Sequence, residues 1–291
     1  MSGFKRATKK AAKLRAAVFG PSGGGKTFTS LRAATGLAGE RGTIAVIDTE
    51  RGSASKYSDR FTFDVLELRD QTVAGYVAAI REAHGYDVLV IDSLSHGWQS
   101  LLEEVEKLAK AKYRGNTWSA WSEGTPLQRK LVAAILDFPG HVIATIRSKT
   151  EWTTVEDDRG RKSPQRVGLA PEQGKGIEYE FDLLIEISTD HIANVIKDRS
   201  GRFQDRLIDK PGEDFGRELA AWLSDGEPAP AVSALDPRVV EIGDFPDAIK
   251  AACRKTMKVA MDMGVPKDQA IDQALAHGRE LVASAGEDVE A

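Results

Sequence analysis

The run Gly20-Pro21-Ser22-Gly23-Gly24-Gly25-Lys26-Thr27 constrains what this chain can fold into more than any other stretch. It lies between an apolar segment, Leu14 to Phe19, and a helix-compatible one, Phe28 to Leu37, and it fits the pattern G-x-x-x-x-G-K-[ST] at every required position. A loop that turns its backbone N–H groups inward needs conformations that side chains forbid, which is why glycine recurs. A buried strand must deliver the chain to such a loop and a helix must lead it away. The motif therefore predicts a sheet covered by helices. The inward N–H groups and the positive end of the helix make a seat for phosphate, and the pattern points to a nucleoside triphosphate. Lys26 would reach the β- and γ-phosphates and the Thr27 hydroxyl would help hold Mg²⁺. The expected nucleotide-binding set is Gly20, Pro21, Ser22, Gly23, Gly24, Gly25, Lys26, Thr27 and Phe28. The competing reading is a glycine-rich turn that merely precedes a helix.

Strand and helix patterns alternate after the loop. Thr43 to Glu50 and Asp87 to Ser93 are apolar strands ending in carboxylates, Phe63 to Leu68 is strand-like, and Val73 to His84 is helical. Because strand side chains alternate, Asp48 and Glu50 are expected to point the same way. Leu101 to Lys110 and Leu127 to Leu136 follow as helices, separated by Lys112 to Thr125, which reads as irregular and polar. His141 to Ile146 is a third buried strand. Arg147 to Gln173, broken by Gly160, Pro164, Gly168 and Pro171, reads as a long mobile loop. Asp182 to Ser188, Ile192 to Ile196 and Arg206 to Ile208 form a terminal meander, closed by a helix over Phe215 to Leu223. The expected fold is α/β, a mostly parallel sheet with helices on both faces.

The predicted organisation is a basic arm over residues 1–13, an NTP-binding domain over 14–223, a linker over 224–243 and a helical appendage with a short acidic tail over 244–291. The stretch Met1 to Arg15 carries Lys5, Arg6, Lys9, Lys10, Lys13 and Arg15 with no acidic residue, which suits either phosphate contact or a solvated tail. In the appendage, Pro246 and Pro266 mark helix starts, and Ile249, Cys253, Met257 and Ala260 make one apolar stripe. A net charge of -4 excludes a uniformly basic nucleic-acid coat, so any DNA contact must be a local patch. No segment has the apolar length of a membrane span, and the single cysteine fits a reducing compartment, so a cytoplasmic protein without membrane association is expected.

Two carboxylates carry the expected chemistry. Asp92 ends an apolar strand and is the Walker B candidate, joining Thr27 as a Mg²⁺ ligand. Ser93 follows it instead of a glutamate, so the base that orients water against the γ-phosphate must come from elsewhere, and Glu50 at the end of another strand is the best candidate. The histidines, five in all, lack metal-ligand spacing. Ser93 and Ser95 near His96 are too close in sequence to suggest a triad; a satisfied loop histidine is the better reading. No guanine-reading N-K-x-D string is present, which makes ATP the expected nucleotide.

The string Ile47-Asp48-Thr49-Glu50 resembles the strand-ending glutamate motif of RecA-core ATPases, and the wider pattern from Leu14 to Leu223 resembles the phage RecA-like P-loop NTP-binding proteins, among them the phage ATP-dependent single-strand annealing proteins. Val88 to Ser93, Val142 to Thr150 and Gly176 to Asp182 carry the rest of that likeness. The resemblance implies a RecA-like P-loop NTPase core, ATP with Mg²⁺, and a ring or filament of like subunits with ATP at their interfaces. It places Thr145 at the polar sensor position, where RecA has glutamine, with Arg147 and Lys149 as nearby substitutes. It implies that Lys197 and Arg199 reach a neighbour's site in trans; the alternative is exposed strand charges on a monomer.

Lys112 to Thr125 and Arg147 to Gln173 fall where RecA-like proteins carry DNA-binding loops. Trp118 and Trp121 would stack on bases or pack against the core, and Arg159, Arg161, Lys162 and Arg166 would meet phosphates, opposed by Asp157 and Asp158. The leading functional expectation is an ATPase acting on single-stranded DNA in phage-type recombination and annealing. The alternatives are an NTP-driven assembly or loading factor whose partner is a protein, and a slow nucleotide switch.

Overall fold

A computed structural model describes residues 12–156, 162–174, 176–225, 245–263 and 265–287. By internal contacts the chain separates into two units, Met1–Glu227 and Pro228–Ala291.

The first unit is built on one nine-stranded sheet. Its strands are β1 (Arg15–Gly20), β2 (Ile44–Asp48), β3 (Asp64–Glu67), β4 (Val88–Asp92), β5 (His141–Glu156), β6 (Lys162–Pro171), β7 (Leu183–Ile187), β8 (Ile192–Asp198) and β9 (Leu207–Asp209). The order is β3-β2-β4-β5-β1-β7-β8-β9, with β6 paired to the outer part of β5. From β3 to β7 every neighbour is parallel, and β8 and β9 return antiparallel. Parallel strands need long crossovers and both faces covered, which is why the central strands β1, β2 and β4 are buried along their whole length.

The cover is α1 (Lys26–Ala38), α2 (Val73–Glu82), α3 (Ser95–Lys112), α4 (Thr117–Asp137) and α5 (Glu213–Ser224). Alternation along β1 divides the core: Val18 packs with Leu31 of α1 and Phe215 and Leu219 of α5 on one face. Phe19 packs with Tyr76 and Ile80 of α2, Leu101 of α3 and Leu131 of α4 on the other. This is the expected α/β architecture, a mostly parallel sheet with helices on both faces. On the first face α1 and α5 touch backbone to backbone: a Cβ at Gly36 would lie 1.9 Å from the Glu213 carbonyl oxygen, and one at Gly216 2.2 Å from that of Ala33. Arg32 of α1 ties the same contact with a salt bridge to Glu213 at 2.7 Å.

Three segments depart from the sequence expectation. Most of the stretch expected to be irregular between Lys112 and Thr125 is the start of α4, because the Asn116 side chain accepts from the Ser119 N–H and caps a helix that carries Pro126 inside it. Arg147 to Gln173, expected as a loop, is for the most part the β5–β6 hairpin, whose pairing runs from Ser148↔Pro171 to Glu156↔Lys162. Asp157, Asp158, Arg159 and Arg161 lie outside the described residues, as do the side chains of Lys162 and Arg166. Arg15 is no part of an exposed arm: it is buried, and its guanidinium donates to the carbonyls of Leu14, Leu136, Phe138 and Gly140. It thereby pins the end of α4 and the turn after it to β1; burial lowers its pKa. Of the arm's other cations, Lys5, Arg6, Lys9 and Lys10 lie outside the described residues.

The second unit contains α6 (Asp247–Asp262) and α7 (Lys267–Glu287). Cys253 is buried between them, where a Cβ on Gly278 would come within 2.7 Å of its sulfur. Met263 at the end of α6 is 78% exposed, and Val259 and Met261 also face solvent. No helix among the described residues is long and apolar enough to cross a membrane.

Candidate functional site

The carboxyl ends of β2, β4 and β1 lie side by side with the middle of β5 at Arg147, and the residues at and just beyond these points line one cavity of about 980 Å³. Gly20 ends β1 where a Cβ would sit 2.3 Å from the Ile187 carbonyl oxygen, so the first glycine is required by the neighbouring strand. Gly23 and Gly25 have φ of 79° and 84°, the left-handed region that the inward-turned loop needs. Helix α1 begins directly after Gly25, so its N-terminal N–H groups open onto the cavity. The loop is held from outside by the β7–β8 turn, where His191 Nδ1 lies 3.1 Å from the Gly24 carbonyl oxygen.

Lys26 curls over its own loop, its Nζ donating to the carbonyls of Gly20 at 3.0 Å and Pro21 at 2.9 Å. Burial lowers its pKa, an effect opposed by the nearby charges of Asp92 and Glu50. Asp92 is 2% exposed. Its Oδ2 accepts from Thr27 Oγ1 at 2.7 Å and its Oδ1 from Thr145 Oγ1 at 2.5 Å. Burial nevertheless pushes the carboxyl pKa up, outweighing both hydrogen bonds. Thr27 and Asp92, the expected metal pair, are thus in direct contact. Thr145 is fully buried and meets Asp92 without lining the cavity.

Glu50 lines the cavity with Lys26, Thr27, Phe28, Asp92 and Arg147. Asp48 does not share its direction, because β2 stops at Asp48 and strand alternation ends with it. The buried Asp48 carboxylate instead accepts from the N–H groups of Glu50 at 2.6 Å and Ala54 at 2.9 Å, fixing the loop that aims Glu50. The Glu50 carboxylate meets Arg147 Nη2 at 2.9 Å.

Behind Asp92, Thr49 Oγ1 receives the Ser93 N–H at 2.9 Å and lies 2.6 Å from His96 Nδ1. Burial lowers the His96 pKa, and the imidazole is a hydrogen-bonded group in the first turn of α3. Ser95 Oγ serves the Glu172 carbonyl and the Arg147 N–H, and no serine–histidine pair forms here.

Sequence reasoning missed one wall of the cavity. Tyr57 and Arg60 come from the turn after Glu50, and Phe28 contacts the rings of Tyr57 and Phe61 at 5.6 and 5.4 Å between centroids. The signal was there in the aromatic spacing of Tyr57, Phe61 and Phe63, but nothing local tied it to Phe28. Lys197 and Arg199 lie away from the cavity of their own chain: Lys197 Nζ donates to the carbonyls of Glu178 and Tyr179, and Arg199 pairs with Asp182 at 3.2 Å. Trp121 stacks on Trp98 at 5.6 Å, the packing role. Trp118 is 88% exposed in the first turn of α4.

A family model described as an AAA domain matches residues 12–209. A KaiC-like protein from the hyperthermophilic archaeon Pyrococcus horikoshii is similar in structure at 15% identity, covering 68% of this chain and 87% of that one with a TM-score of 0.39. No curated protein matches. The matched segment contains the glycine loop, Lys26, Thr27, Glu50, Asp92 and Arg147, and the chain belongs to the AAA domain family.

Proposed function

We propose that this chain is a Mg²⁺-dependent ATPase that acts on single-stranded DNA in phage-type recombination and annealing. The observation that carries the reading is the convergence of three strand ends: the glycine loop with Lys26, the Thr27–Asp92 pair, and Glu50 face one cavity.

Loop N–H groups and Lys26 hold the β- and γ-phosphates, and the Phe28–Tyr57 wall gives the base an aromatic face. The Thr27 hydroxyl and the Asp92 carboxylate are oxygen donors suited to Mg²⁺, which leaves most of its sites to phosphate and water. When bound, it would neutralise charge on the phosphate oxygens. Thr145 keeps Asp92 oriented toward Thr27. Glu50 aligns a water for in-line attack on the γ-phosphate and takes its proton. Lys197 and Arg199, on the far side of β7, act in a neighbouring copy's site within a ring or filament. Single-stranded DNA is held by stacking on Trp118 and by cations of the β5–β6 hairpin.

Glu50→Gln is expected to bind ATP and lose turnover, and Lys26→Ala to lose binding. Titration of labelled single strands with and without ATP, over a salt series, tests the DNA arm; no binding at low salt would remove it. A loading factor for a protein partner is the second reading, favoured by the exposed Val259, Met261 and Met263 of α6. Turnover indifferent to DNA, with loss of a partner on removing residues 245–291, would support it.

A further inference from the structure

The phosphate loop carries Gly23, Gly24 and Gly25 in a row. A peptide plane between two glycines meets little steric resistance when it flips, and a flipped plane would offer an anion a carbonyl oxygen where it needs an N–H. Each plane must therefore be held. The Gly20 and Pro21 carbonyls accept from Lys26 Nζ, the Gly24 N–H donates to the Pro21 carbonyl at 3.2 Å, and the Gly25 carbonyl accepts from the Thr29 N–H at 2.9 Å. Those ties lie within the loop and its helix. The plane that joins Gly24 to Gly25 is tied from a residue 167 positions further along the chain, because the Gly24 carbonyl faces His191 Nδ1 at 3.1 Å.

His191 lies in the turn between β7 and β8 and has φ of 64°, in the left-handed region. Few side chains adopt that conformation, and histidine, asparagine and aspartate do so more often than the rest. Here the main chain enforces it: the His191 N–H donates to the Ser188 carbonyl at 3.1 Å, and the His191 carbonyl accepts from the Lys210 N–H at 3.0 Å. The imidazole is thereby laid against the loop, where a Cβ on Gly25 would lie 3.1 Å from Nδ1. A carbonyl oxygen can only accept, so Nδ1 carries the proton and donates. The bond between Gly24 and Gly25 is trans, and in a trans peptide the N–H points opposite to the C=O. The Gly25 N–H is therefore turned away from His191. We propose that His191 is a positioning residue for the nucleotide: by holding the Gly24 carbonyl outward, it keeps the Gly25 N–H turned to the β-phosphate. This rests on the reading of the glycine loop as a nucleotide site and deepens it, since the group that sets the loop for its anion is supplied by the β7–β8 turn.

ATP and ADP both carry a β-phosphate, so loss of the tie weakens both alike. His191→Gly keeps the left-handed backbone and removes the donor. It should melt close to wild type and bind ADP and a non-hydrolysable ATP analogue about three- to tenfold more weakly, with their ratio unchanged. His191→Asn tolerates the same backbone and places an amide N–H₂ as many bonds from Cβ as Nδ1 is, so it should restore both affinities to within about twofold of wild type. Calorimetric titration of the full chain with each nucleotide, beside thermal melting, reads these outcomes. A folded Gly variant that binds both nucleotides as tightly as wild type would overturn the proposal, and so would one that weakens the ATP analogue alone or a folded Asn variant as weak as Gly. Should the Gly variant not fold, His191→Asp decides, because it shares the shape of Asn without its donor: binding equal to that of Asn overturns the tie, and weaker binding of both nucleotides supports it. In each of these outcomes wild type binds nucleotide and the reading of the loop stands. If wild type binds neither nucleotide, that reading fails and the proposal falls with it.

Discussion

Asp92→Asn is expected to stabilise the protein at neutral pH while disabling it. The carboxylate is buried, and although Thr27 and Thr145 both donate to it, the cost of burying its charge is the larger effect on its pKa. A raised pKa means that the folded chain holds the proton on Asp92 more tightly than the unfolded chain does. The group thus favours folding below its unfolded pKa, and that contribution is lost as pH rises through the folded value. Above it the charged group works against folding. An amide has the same size and no charge, and a threonine hydroxyl can turn from donor to acceptor to meet the new NH₂. Relief of an incompletely compensated charge is worth about 1–2 kcal/mol. For a domain of this length that is roughly 2–8 °C in melting temperature. Melting followed by circular dichroism, with chelator and no nucleotide, should show Asn above Asp at neutral pH and the difference closing as pH falls. With MgATP the order should reverse, because only the wild type gains from the ligand. An Asn variant that melts below wild type at neutral pH without ligand, or by the same margin at every pH, would refute the reasoning.

Other substitutions probe the supports. Arg15→Met should cost about 3 kcal/mol or more in urea denaturation, since it strips the donor from carbonyls at the end of α4 and the turn beyond. Gly36→Ala should lower the urea midpoint by about 1–3 kcal/mol equivalent, because the new methyl meets the Glu213 carbonyl, which belongs to another helix and cannot easily yield. Trp118→Ala should leave the melting temperature unchanged and reduce single-strand affinity by about 1–3 kcal/mol, read by fluorescence anisotropy.

Where chemistry dictates residue type over a short span, the sequence was a sufficient guide. The glycine loop announced the strand before it and the helix after it, and the apolar run ending at Asp92 announced β4. What escaped was set by distant partners. Arg15 looks like the last member of a basic arm; only the carbonyls around Leu136 and Gly140, far along the chain, explain its burial. The β5–β6 hairpin was hidden because its prolines and glycines read as breaks, while its pairing depends on residues across the turn. Asp48 and Glu50 were misread for a smaller reason. The strand ends at Asp48, and a carboxylate that ties the following turn cannot also point with its neighbour into the cavity.

The close seating of α5 on α1 has a consequence for where the working unit stops. The family match ends at residue 209, but the helix that bears Lys26 and Thr27 at its head rests along its length on Phe215, Gly216 and Leu219, all beyond that point. A chain cut at the family boundary would keep all of the cavity lining except Lys210 and Pro211 and lose the buttress under it, baring Leu31 and Leu37 to water. The smallest self-sufficient nucleotide module is therefore defined by helix-to-helix contact and runs through Leu223.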